Sequence, residues 1–229
     1  MALDHSDSYR VSKQLKLSNH MKKIYFIIAA AAMFFAVEAS AQIGVGVGYN
    51  MLNHVQKAQD EHENSTLNGF YIEATYDLNL LVKSWGEIGF QPGLRFSYGG
   101  EHETEEVMGV KGKASWNETY LDIPVLVKYS YDLDFVKVSA FAGPVLSCGL
   151  SSATKVSIGD NTTKSKNYGD DSVYERFDVK FGLGVGATFM EKFNAKIGYN
   201  AGLYNRYTDG IDDFSCHTGV FYIGIGYNF

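Results

Sequence analysis

Proline and cysteine are scarce in this sequence, no concentrated basic stretch is present, and no apolar run is as long as a membrane-spanning helix. The 2 cysteines, Cys148 and Cys216, have no Cys-x-x-Cys or histidine-rich context, which argues against a zinc site. They fall on segments that the pattern below does not make neighbours, so two unpaired thiols are expected even in a compartment that permits disulfides. A formal net charge of -6 and the lack of a basic run argue against a nucleic-acid-binding face. With 45% hydrophobic and 20% charged residues, the chain has the composition of neither a disordered segment nor a helical membrane bundle. The abundant residues are 24 glycines, 16 tyrosines and 15 phenylalanines. Glycine alternating with aromatic and aliphatic residues is a barrel signature, because rings face outward while glycines relieve crowding within.

The amino-terminal region reads as an address. Met21-Lys22-Lys23 opens a basic segment, an apolar run follows from 24 to 37, and Ala39 and Ala41 form an Ala-x-Ala cleavage signal. A spanning helix needs about 18–20 apolar residues, and this run is shorter and ends at the cleavage signal. Cleavage between Ala41 and Gln42 is therefore expected, and no cysteine follows it for a lipid anchor. The division expected is an amino-terminal extension over 1–20 ahead of a start at Met21, a signal peptide over 21–41, and a single barrel domain over 42–229.

From Gln42 onward every apolar stretch has period two. Ile43, Val45, Val47 and Tyr49 alternate with glycines and Asn50, and Phe177, Val179, Phe181, Leu183 and Val185 alternate with Asp178, Lys180 and glycines. The same alternation runs through 70–76, 87–96, 120–128, 136–143, 194–203 and 221–229, giving eight strands and no amphipathic helix. The connections alternate in length. They are long around 52–67, 99–115, 151–173 and 205–216, and short around 78–84, 130–134 and 190–192. Strands of about ten residues or more with this rhythm suit a tilted crossing of a bilayer, whereas strands of soluble sheets average about five or six. Tyr49, Tyr76, Trp85, Tyr98, Trp116, Tyr129, Tyr199 and Tyr227 fall where aromatic girdles are expected. The fold predicted is all-β: an eight-stranded antiparallel up-and-down transmembrane barrel in the outer membrane, with both termini in the periplasm. Ile223, Ile225, Tyr227 and Phe229 resemble the carboxy-terminal signal read by the barrel-assembly machinery, which with outer-membrane lipid is the partner expected.

Several segments together resemble the PorT-like family of outer-membrane barrels from Bacteroidetes. These are Gly89-Phe90-Gln91-Pro92-Gly93-Leu94-Arg95-Phe96, Tyr120-Leu121-Asp122-Ile123-Pro124-Val125, Ala140-Phe141-Ala142-Gly143-Pro144 and the closing Ile225-Gly226-Tyr227-Asn228-Phe229. The resemblance covers nearly all of 42–229 and implies the fold and the compartment. The namesake takes part in type IX secretion, and an accessory role there is what the resemblance implies for function by analogy of fold.

The polar sides of the strands carry Glu73, Glu87, Asp122 and Asp178 together with Arg95, Lys128, Lys137, Lys180 and Lys196. If the apolar sides face lipid, these nine form an interior network. In a barrel just wide enough to be filled by its side chains, mixed signs favour an ion-paired plug. A narrow porin, the alternative, would more naturally carry one sign. His54, His62, His102 and His217 lie in or near the expected outer loops without a nucleophile motif, so no enzyme and no cofactor is expected. Glu61-His62-Glu63 and Glu101-His102-Glu103 repeat one pattern in two loops on the same side, a weak candidate for divalent metal against the simpler reading of solvated acidic loops. The function expected is an envelope structural or interaction protein that works through its outer loops.

Overall fold

The computed structural model describes residues 41–58, 61–107, 110–158, 161–168, 174–207 and 214–229. The expected extension and all of the signal segment before Ala41 lie outside the described residues, as does the 171–173 part of the third long connection. β-Branched and aromatic residues alternating with glycine favour pleated strands, and nine strands form: β1 (Ala41–Ala58), β2 (Glu61–Lys83), β3 (Gly86–Val107), β4 (Val110–Asp132), β5 (Val136–Ile158), β6 (Asn161–Lys166), β7 (Phe177–Phe189), β8 (Phe193–Gly202) and β9 (Phe214–Asn228). All pairings are antiparallel. Eight strands close a ring in the order β1-β2-β3-β4-β5-β7-β8-β9, with β9 returning to β1 and β6 attached to β5 alone. Closure leaves no open edge around the ring itself, the condition for placing backbone amides in hydrocarbon.

Both ends of the chain described here lie at one end of the ring, where Gly44 faces Asn228 and where the turns are short. The shortest, 84–85, joins β2 to β3, and the three-residue connection 190–192 between β7 and β8 has two successive residues, Met190 and Glu191, at positive φ. At the opposite end the hairpins are long, and here the structure differs from the expectation. Most of 52–67, 99–115 and 151–158 is ladder rather than irregular loop: β1 and β2 stay paired to Ala58 and Glu61, and β3 and β4 to Val107 and Val110. The period-two signal disappears there because both faces of the extended hairpins meet water, while the backbone pairing continues. Strand β6 was hidden for the same reason, since all six of its residues are exposed.

Two ladders carry a one-residue irregularity, at Leu80 of β2 and at Leu150 of β5, and the second bears on the faces of the long hairpins. β5 carries an extra residue, Leu150, between Gly149, which pairs with Tyr120, and Ser151, which pairs with Thr119. A one-residue insertion reverses the inward and outward sides beyond it. Odd-numbered residues of β5 point inward up to Gly149 and outward from Ser151, so Ser152 is buried opposite Glu118.

The ring is inside out by the standard of a soluble protein. Val47, Phe70, Ile72, Val127, Leu183, Val185, Ile223 and Ile225 are each at least half exposed on the outer side, while Glu73, Asp77, Arg95, Glu118, Asp122, Asp178 and Lys180 are buried within. An apolar belt of this extent would associate in water. Along β3 it runs from Ile88, which pairs with Tyr129, to Tyr98, about ten residues on. At about 3.3 Å per residue and a tilt of about 40° this spans about 25 Å, the height of the apolar band of an outer-membrane barrel. Aromatic rings edge it. Trp85 stacks on Tyr129 and Phe193 packs on Tyr227 at the terminal end, and Phe70 meets Tyr98 at the hairpin end. Trp116, expected in a girdle, instead faces inward and packs over the buried cluster of Leu52, Leu67, Tyr120 and Val220.

Candidate functional site

The interior is built in tiers, because each strand contributes every second residue to it and the ring brings those residues within reach of one another. At the terminal end Lys137 pairs with Glu87 at 3.0 Å, partly open to solvent. Next, Lys128 and Gln91 both bond Asp77 on β2, at 3.0 and 2.7 Å. Above them Glu73 on β2 is held from two sides, by Arg95 of β3 at 2.9 Å and by Lys196 of β8. The Arg95 guanidinium lies 4.5 Å from the Tyr71 ring centre and 4.0 Å from that of Tyr222, so its faces are covered by π systems while its edge serves the carboxylate. Leu126, Phe141 and Val145 complete an apolar layer with these two tyrosines.

The tyrosines fit because glycine lies beneath them. A side chain at Gly224 would meet the Tyr71 hydroxyl and would stand 2.6 Å from the Val47 carbonyl oxygen. Toward the hairpin end, Asp122 accepts from Ser147 at 2.5 Å and from Ser97 at 3.3 Å, with the Lys180 ammonium at 3.8 Å. Lys180 also donates to Ser147 at 3.0 Å.

The mouth at the hairpin end is closed by a cation. Arg206, in the connection after β8, is 1% exposed and donates to Tyr120 at 2.7 Å, Thr218 at 3.0 Å and Tyr168 at 2.5 Å. Its backbone is fixed as well, donating to Cys216 and accepting from Glu175. Beneath it His54 contacts Glu118 at 3.0 Å, and Glu118 also accepts from Tyr120. Tyr168 belongs to the connection after β6, and burial pushes its phenol above the ordinary value of 10.0. It therefore stays protonated and bonds as a neutral hydroxyl.

Closed antiparallel topology, a lipid-height apolar belt and an ionic interior coincide with a sequence match. Residues 30–207 match the family model described as "Outer membrane protein beta-barrel domain". The chain belongs to that family. Solved structures similar to this chain include Ail, the attachment invasion locus protein of Yersinia pestis, at 14% identity and a TM-score of 0.46, covering 83% of this chain and 100% of that one. Neisserial surface protein A is similar at 12% identity and a TM-score of 0.43, over 83% and 100% of the two chains. The outer membrane protease OmpT of Escherichia coli is similar at 8% identity and a TM-score of 0.39, over 83% and 99%. No curated protein matches the sequence.

Within this outer-membrane barrel, the expected interior residues fall into paired groups. Glu73, Arg95 and Lys196 form one, Glu87 and Lys137 a second, and Asp122 and Lys180 a third, while Lys128 is paired with Asp77. Asp178 is fully buried, with Lys180 and Arg206 as its charged neighbours. Ile223, Ile225, Tyr227 and Phe229 continue the outer side of β9, and Ala41 and Gln42 open β1 opposite Leu78 and Asp77. Cys148 and Cys216 are both free thiols, on strands that are not neighbours.

Sequence reasoning missed Asp77, Glu118 and Arg206, and it misplaced His54. That histidine is 1% exposed on β1 and pairs with a carboxylate, where a solvated loop position had been expected. A signal was available for Asp77 and Glu118, which share the inward parity of Glu73 and Tyr120. None was available for Arg206, whose position depends on a connection folding back into the barrel. His102 is exposed on β3 opposite Ser115, whereas the side chains of Glu61, His62 and Glu63 lie outside the described residues.

Proposed function

We propose that this protein is a closed, non-conducting outer-membrane barrel that serves the envelope as a structural and interaction protein, through hairpins presented outside the cell. The supporting observation is the stack of ion pairs along the interior under the Arg206 cap. A cavity among the described residues, lined by Glu73, Asp77, Gln91, Lys128 and Lys196, measures about 30 Å³, the space of roughly one water molecule. Both signs meet in each tier, so no single-sign field is available to select an ion. In this reading the short turns and both termini face the periplasm, the nine expected interior residues lock the barrel, and Ile223, Ile225, Tyr227 and Phe229 carry the assembly signal. The pairing of His54 with Glu118 beneath a buried arginine supports a non-enzymatic role.

The test is solute permeation through liposomes carrying the folded protein, with folding checked by migration on unheated gels. Impermeability equal to that of empty liposomes is expected. Permeation that changes with substitution of Arg95 or Asp122 would make the protein a narrow porin.

The segments that resemble the PorT-like family support a second reading, an accessory part in type IX secretion. Gene deletion that leaves cargo in the periplasm would favour it, and normal secretion after deletion would remove it.

A further inference from the structure

Beyond the apolar belt the ring opens at the hairpin end. β2 and β3 part after Asn68 and Gly100, while β3, β4, β5 and β6 continue together as a four-stranded sheet. The register sorts its residues by face. Lys113 faces Ser157, which faces Thr162, and Ser115 faces Lys155, which faces Lys164. Ala153 faces Lys166 on the same side. This side is the outward one, because Trp116 and Glu118 of β4 point inward and the extra residue Leu150 turns Lys155 outward. Without that bulge Lys155 would point over the barrel mouth.

The outward face therefore carries Lys113, Lys155, Lys164 and Lys166, all exposed, in a chain whose net charge is -6. These four contrast with the interior. Lys128, Lys137, Lys180 and Lys196 each have a carboxylate within 4.0 Å, but none of the four outward lysines has a described carboxylate within that distance. Two of them, Lys155 and Lys164, are directly opposed on neighbouring strands, an arrangement that is unfavourable unless an anion lies between them.

Depth indicates which anion. Thr119 pairs with Tyr98 at the edge of the belt. Through Ala153, Lys166 lies level with Asn117, and Lys113 is about six residues beyond Thr119. At about 2.5 Å of height per tilted residue, the four ammonium-bearing positions stand roughly 5 to 15 Å above the hydrocarbon, at the level of the polar headgroups. Their long stems can bend toward that layer.

We propose that this lysine face binds the phosphate groups of the surrounding leaflet's lipid and seats the four-stranded sheet on the membrane surface. The site rests on the membrane-spanning fold and is independent of whether the interior conducts. Only the identity of the leaflet depends on the orientation proposed above, and protease access to the hairpins in whole cells tests that separately.

The experiment measures equilibrium binding of a bis-phosphorylated glycolipid, lipid A, to the folded protein in uncharged detergent micelles, beside the same lipid stripped of phosphate. Binding of the phosphorylated form should weaken at least about tenfold with K113Q/K155Q/K164Q/K166Q and fall with added salt. A second variant, Lys155→Glu, places opposite charges at the Lys164 pairing. It should hold or raise the unfolding midpoint while still weakening lipid binding, which separates the anion site from a merely structural role. Equal binding of both lipid forms, or unchanged binding by the quadruple variant in folded form, would overturn the proposal. So would lysine-dependent binding of soluble dextran sulfate without binding of lipid A, which would mark the face as a receptor for free polyanions.

Discussion

Arg206 donates from Nη1 to the Tyr120 hydroxyl at 2.7 Å, tying the connection after β8 to β4, three strands away around the ring. The contact closes the mouth of the barrel with a residue that has no place in any strand. It also joins Tyr168, from the connection after β6, to the same hydroxyl cluster.

Truncation of this arginine tests the cap. Arg206→Ala leaves Glu118 and three hydroxyls without their cation, and a loss of about 3 kcal/mol in unfolding free energy is expected. Denaturant titration of the folded barrel in lipid reads it directly. The tiers below remain paired, so liposome permeability should not rise; a leak in this variant would show that Arg206 is the only barrier.

Arg95 and Glu73 form the central pair and should be strongly coupled. Arg95→Met strands Glu73 beside Lys196 alone and removes the cation between Tyr71 and Tyr222, for an expected loss of about 3–5 kcal/mol. The double substitution with Glu73→Gln should recover part of that loss, because no unpaired carboxylate is then left buried. A double-mutant cycle on unfolding free energies would expose the opposite result, simple additivity.

On the outer side, Val185 lies near the middle of the apolar belt and is 54% exposed to it. Val185→Arg should cost about 2–4 kcal/mol in a bilayer, the penalty for a cation at mid-depth. Substituting Lys164→Arg on the exposed β6 should have almost no effect on stability. Equal effects at the two positions would contradict the placement of the membrane.

Crowding inside the ring gives a fourth prediction. Gly224→Val would press a branched side chain against the Tyr71 hydroxyl and the Val47 carbonyl. Displacing Tyr71 would also uncover the Arg95 guanidinium, so a loss of about 1–3 kcal/mol is expected. Pairing it with Tyr71→Ala should relieve the Tyr71 part of the clash while leaving the contact with the Val47 carbonyl, and unfolding midpoints of the three variants measure the relief.

Strand number, closure and the inward or outward side of most ring residues were legible in the sequence, because a side chain in a pleated strand can face only two ways. Glu73, Asp122 and Lys196 announced themselves by alternating with Ile72, Ile123 and Ile197. Where lipid ceases to contact one side, that constraint ends. The extended hairpins and β6 therefore left no periodic trace, and the bulge at Leu150 that turns Lys155 outward left none either. Tertiary structure alone decided which charges meet. Arg95 finds Glu73 on the neighbouring strand, but Lys196 reaches the same carboxylate from β8, and Arg206 reaches Tyr120 from outside any strand. Such partners depend on the ladder register and on how connections fold back over the mouth, and neither is encoded in local alternation. The sequence determined a barrel with charges inside and apolar residues outside; the closed ring decided how those charges are paired and what caps them.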